Sequence, residues 1–137
     1  MNVTMDIVPA DDPEFVAMWQ EGWAELIASG ETDYSTPPPF GGKFDIALLI
    51  RADGEAAAIR AYHDWGTGVA QGKITYVRPA FRRQKLSDIT WELTVDLLKQ
   101  RGVTRLVYTV LASATAMKAA CDKRGDRLVS HRYLREL

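Results

Sequence analysis

In 137 residues the chain has one cysteine, Cys121, and two histidines, His63 and His131. A single cysteine excludes an internal disulfide and fits a reducing compartment, so a cytoplasmic location is expected. With so few sulfur and imidazole donors, no structural zinc site is expected and no metal is assigned. No apolar run approaches the roughly 20 residues that cross a bilayer, so no membrane partner is expected. The opening residues, Met1 to Asp6, lack the basic start and apolar core of a secretory leader. Repeats, linkers and low-complexity tails are also missing, and residues 1–137 are expected to form one domain.

Excess charge is lacking too, since the formal net charge is −1. Its distribution is uneven. Residues 1–55 hold 11 acids against two bases, and residues 56–137 hold 7 acids against 15 bases. Such a split suggests a basic half facing an anion and an acidic half facing a cation or a neighbouring subunit. Scattered solvated charge is the plainer reading.

Residues 3–8 alternate apolar and polar, which predicts a strand. Asp12-Pro13-Glu14 is a helix start, and Phe15, Met18, Trp19, Trp23, Leu26 and Ile27 recur on one face of a helix over 13–29. Residues 31–43, with Pro37-Pro38-Pro39-Phe40-Gly41-Gly42, predict a loop. A hairpin follows, with strands over 44–51 and 56–65 around Asp53-Gly54. A strand over 73–77 leads to a helix over 88–101, with Ile89, Leu93 and Leu97 as its apolar row and Trp91, Val95 and Leu98 beside it. A buried strand is expected over 104–111. Ser113 is expected to cap a helix to Arg124, with Met117, Ala120 and Cys121 inward, and a last strand covers 127–134. The order is β-α-loop-β-β-β-α-β-α-β.

Between strand 73–77 and the next helix lies Val77-Arg78-Pro79-Ala80-Phe81-Arg82-Arg83-Gln84-Lys85-Leu86-Ser87. A strand that runs into a cation-rich turn at a helix N-terminus is suited to an anion. Unpaired amides and the positive end of the helix dipole converge there.

This order and this turn resemble the GNAT family of acetyl-CoA-dependent N-acetyltransferases. The likeness rests on Val77, Pro79, Phe81 and Arg82, on Arg101-Gly102-Val103, and on Lys123-Arg124-Gly125. It implies an α/β (α+β) fold with a mixed, mostly antiparallel central sheet flanked by helices. It also implies an acetyl-CoA site at Tyr76, Val77, Arg82, Arg83, Gln84, Lys85, Leu86 and Ser87. The family's three turn glycines are Arg83, Lys85 and Ser87 here. Its helix-starting asparagine falls near Ala114, and its tyrosine general acid falls at Cys121.

The resemblance implies direct attack of an amine on the thioester. Cys121 is the candidate acid and His63 the candidate base, with Asp64 and Glu55 near His63 in sequence. Tyr76 and Tyr108 read as sheet residues, and Phe40 as a pocket residue. The acceptor could be a polyamine, a lysine or a protein N-terminus, met by Glu21, Glu25 and Glu31. A protein partner or homo-oligomer is compatible with the charge split. The alternative is a degenerate GNAT-fold binding or assembly module, such as a phage virion or host-modulating protein. Nucleic-acid binding through Arg78, Arg82, Arg83, Lys85, Arg101 and Arg105 ranks lowest, because few aromatics interleave the basic residues.

Overall fold

The computed structural model describes residues 1–111, 114–129, 133 and 135–137. Helix α1 (Pro13–Ala28) starts where the sequence says it should. The Asp12 carboxylate accepts the Phe15 amide at 3.0 Å, which satisfies one of the orphan donors of the first turn. Phe15, Met18, Trp19 and Trp23 are buried, each contributing roughly 1.5–3 kcal/mol by area. Phe40, from the proline-rich loop, lies on this row, 4.5 Å from the Trp19 ring centroid.

One sheet holds β1 (Val3–Val8), β2 (Asp45–Ala52), β3 (Glu55–Asp64), β4 (Val69–Val77) and β5 (Arg105–Val107), in that spatial order. The first three pairings are antiparallel and β4–β5 is parallel, so the sheet is mixed and mostly antiparallel, as expected. Asp53 and Gly54, at φ of 49° and 84°, make the tight β2–β3 turn.

Two strands depart from expectation. β4 begins at Val69 rather than at residue 73, with Gly72 inside it. Pairing runs Ala61 to Ile74 and then Tyr62 to Gly72, which leaves Lys73 as a bulge. A glycine and a bulge break the alternation that marks a strand in sequence. β5 spans only 105–107 rather than 104–111, because its ladder with β4 stops at the Gln71–Val107 pair. Of the expected last strand, Ser130, His131, Arg132 and Leu134 lie outside the described residues, and 127–129 carry no strand. Ser113 as a helix cap likewise lies outside them.

Helices α1 and α2 (Leu86–Gln100) cover opposite faces of the sheet. The buried row of α2 is Leu86, Thr90, Thr94 and Leu98; of the expected row only Leu97 packs against the core, half-buried, while Leu98 beside it is buried as expected. Ile89 and Leu93 are about half exposed, at 49% and 50%. The threonines can be buried because their hydroxyls donate to carbonyls one turn back, Thr90 to Leu86 at 2.8 Å and Thr94 to Thr90 at 2.9 Å. Helix α3 (Thr115–Arg124) buries no residue; Met117 is exposed, and Ala120 and Cys121 are only half-buried. With Lys118, Asp122, Lys123 and Arg124 on a ten-residue helix, it has too little apolar surface to enter the core. Among the described residues, no helix is long and apolar enough to cross a membrane.

Candidate active site

After β4, a single 3-10 turn (Pro79–Phe81) leads through residues 82–85 into α2. Arg82 is extended, while Arg83 and Lys85 take φ of 65° and 59°. The first two positions where the family's signature has glycine thus hold the left-handed backbone that glycine serves. For a residue with a Cβ this costs roughly 1–2 kcal/mol each. Lys85 is also the N-cap of α2, and it offers no side-chain acceptor to the first-turn amides. These amides border a hollow of about 420 Å³ lined by Val77, Phe81, Arg82, Arg83, Lys85, Leu86 and Ser87.

Of the residues expected to hold the cofactor, Val77, Arg82, Arg83, Lys85, Leu86 and Ser87 therefore meet at one place. Tyr76 and Gln84 do not join them. The Tyr76 side chain lies on the α1 face in the core, and burial followed by Glu21 and Glu25 raises its phenol above the usual value. The exposed Gln84 amide donates to the Ala80 carbonyl at 3.4 Å.

Arg82 is already engaged. Its guanidinium donates to both Glu25 oxygens at 2.7 and 2.9 Å and to the Val77 carbonyl at 2.9 Å. Arg78 likewise donates to Glu21 at 3.1 Å. Two of the three acids expected to greet a cationic acceptor, Glu21 and Glu25, thus pair with the basic turn, and the two oppositely charged halves of the chain meet inside one molecule.

The β4–β5 ladder stops at the Gln71–Val107 pair, and among the described residues β4 from residue 73 to 77 has no partner on that side, which leaves a wedge past that pair. Five residues of strand span roughly 17 Å. At the mouth of this wedge lies Tyr108, whose Cβ would be 3.1 Å from a Cβ placed on Gly72. The Tyr108 hydroxyl donates to Asp126 and lies 3.4 Å from Cys121 Sγ. Burial, then the bonds to Asp126 and Cys121, push the Tyr108 phenol well above its usual range, so it stays protonated.

His63 stands opposite Gln71, on the α1 face of the sheet. Its Nδ1 is 2.6 Å from Asp45 Oδ1, which assigns the proton to Nδ1 and leaves Nε2 as the basic nitrogen. Asp45 also accepts the Gly41 and Gly42 amides at 2.9 Å each. Burial opposes its ionisation, yet the His63 bond and the two amides outweigh it and lower its pKa. His63 and Cys121 are not in contact: one lies on the α1 face, while the other joins Tyr108 on the α2 face. Phe40 lines a second hollow of about 540 Å³ with Ala10, Asp11, Val16 and Gly41.

Sequence reasoning missed Asp45 and Arg60. Asp45 carried no signal. Arg60 did, as the lone cation in the run Ala56-Ala57-Ala58-Ile59-Arg60-Ala61. A charge inside an apolar strand is a buried charge.

No family model and no curated protein matches the sequence itself. The architecture does have counterparts. A GNAT family acetyltransferase from Elizabethkingia anophelis, solved with acetyl-CoA bound, superposes at a TM-score of 0.71 and 18% identity, over 94% of this chain and 78% of that one. The fold is the GNAT fold. It is shared with the ribosomal-protein alanine N-acetyltransferase of Escherichia coli, at TM-score 0.68 and 22% identity over 90% of this chain and 77% of that one. An aminoglycoside acetyltransferase from an uncultured soil metagenomic sample shares it at 0.71 and 15%, over 100% of this chain and 99% of that one. At such identities the GNAT fold is what is shared.

Proposed function

We propose that the chain is an acetyl-CoA-dependent N-acetyltransferase that holds the cofactor pyrophosphate in the hollow at the start of α2. One observation carries this reading. Arg83 and Lys85 keep glycine-like backbone at the N-terminus of a helix whose first amides have no side-chain cap. Strain held in a turn of this kind points to function rather than folding. Acetyl-CoA would supply an activated acetyl group. The amides of residues 83–87 take the phosphates, and the unpaired edge of β4 takes the pantetheine arm. His63, oriented by Asp45, accepts the proton the amine loses as its nitrogen bonds to the acetyl carbon. The Cys121 thiol, against Tyr108, donates a proton to the sulfur whose bond to that carbon breaks.

The fit is tested by thermal stability with acetyl-CoA, then by thiol release over a panel of amines: polyamine, lysine peptide, N-terminal peptide and aminoglycoside. Ligand at 100 times its Kd should add about 2.7 kcal/mol. No stabilisation at millimolar acetyl-CoA overturns the reading. Stabilisation without thiol release favours a binding module on the same fold, to which the engagement of Tyr108 by Asp126 lends weight.

A further inference from the structure

Arg60 is only 3% exposed, yet among the described residues no carboxylate pairs with it. Its Nη2 donates to three neutral oxygens: the Ser87 carbonyl at 2.8 Å, the Ser87 hydroxyl at 3.1 Å and the Thr90 hydroxyl at 3.2 Å. Its Nε is buried with no hydrogen-bond partner. The Trp91 ring, 5.5 Å away, offers its face but no full charge. Arg124 lies over the same ring at 4.4 Å and adds a second cation, whose own acid is Asp88 at 3.5 Å. A buried charge without a counter-charge is costly, and here it sits behind the positive end of α2, which makes the cost larger.

The missing counter-charge has an obvious place. Ser87 both receives Arg60 and lines the hollow at the turn. A hydroxyl has one hydrogen and two lone pairs. With one lone pair taken by the guanidinium, the hydrogen is turned away from Arg60. We propose that Arg60 is the buried counter-charge of a bound diphosphate and acts through Ser87, whose hydroxyl it sets as a donor to the anion in the hollow. Arg60 is a positioning residue here, since Ser87 makes the contact. This deepens the cofactor reading above and rests on the same hollow, but the ligand it requires is any pyrophosphate group.

The test uses the whole chain with inorganic pyrophosphate and, separately, acetyl-CoA and pantetheine. At an effective dielectric of about 20, a unit charge about 10 Å from a phosphate charge changes affinity about tenfold. Arg60→Met should therefore weaken pyrophosphate binding about tenfold or more and flatten its salt dependence. Its unliganded melting temperature should not fall, because a lone buried charge has been removed. Pantetheine, which lacks the diphosphate, should bind it as it binds the parent. Arg60→Lys should recover part of the loss, and Ser87→Ala should lose several-fold with the charge intact. If Arg60→Met does not fold, Ser87→Ala and Arg60→Lys carry the test. Pyrophosphate that fails to bind the parent chain, or binds all variants alike, overturns the proposal. So does equal weakening of acetyl-CoA and pantetheine, which would mark Arg60 as merely structural. Pyrophosphate binding that depends on Arg60, without any acetyl-CoA binding, sustains this proposal and overturns the acetyl-CoA reading.

Discussion

Replacing Arg83 and Lys85 by glycine should make the protein more stable, although it deletes two large side chains. Both residues are exposed, so little packing is lost. Both hold positive φ, at 65° and 59°. Relief of the left-handed backbone returns roughly 1–2 kcal/mol per site. The added freedom of glycine in the unfolded chain takes back roughly 0.5–1 kcal/mol. The double variant should therefore gain about 1–2 kcal/mol, or roughly 3–8 °C in melting temperature for a chain of this size. Alanine at the same positions keeps the strain and loses the charge, so Arg83→Ala and Lys85→Ala should melt close to the parent. Calorimetry of the four single variants and the double glycine variant decides the matter. Glycine variants that melt below the alanine variants would refute the left-handed turn. Anion binding should move the other way, with a shallower salt dependence once the two cations are gone.

Gly22→Ala tests the approach of α1 to β4. A Cβ there would sit 2.9 Å from Ile74 Cδ1 and from Tyr76 Cβ and Cγ. The overlap costs roughly 1–3 kcal/mol and should outweigh the ~1 kcal/mol that alanine brings to a helix, lowering the urea midpoint. Asp45→Asn tests the clasp on His63. The Asp45 pKa is lowered in the folded state, so its contribution is present above the unfolded-state value and is lost as pH falls through the folded one. The variant should be less stable by about 1–3 kcal/mol near neutral pH. Urea titrations from about pH 6 down to about pH 2 should show it losing less stability than the parent.

What was legible in the sequence follows physical lines. Helix α1 was readable because its cap, its proline and its aromatic row all agree. The α2 face is legible only at Leu97 and Leu98, because Thr90 and Thr94 count as polar in any hydropathy pattern, yet each hides its hydroxyl within the helix. β4 was cut short because Gly72 reads as a break, while in three dimensions Tyr62 and Tyr108 crowd it. The location of the anion turn was evident from strand, proline and basic run. Its shape was not, since nothing in the letters Arg83-Gln84-Lys85 announces positive φ. The Asp45–His63 clasp joins residues 18 apart through a hairpin register, which spacing alone does not reveal.

The bulge at Lys73 makes β4 two half-strands that are out of phase. Ala70 and Val77 both face α2 although they are an odd number of residues apart. A regular strand would put them on opposite sides. One surplus residue therefore decides that Val77 reaches the hollow under Leu86 while Tyr76 is tucked against α1. Substitutions along this strand change side chains one at a time. A single-residue deletion would exchange inside for outside over one whole half of it, so length, more than spelling, decides which side chains reach this site.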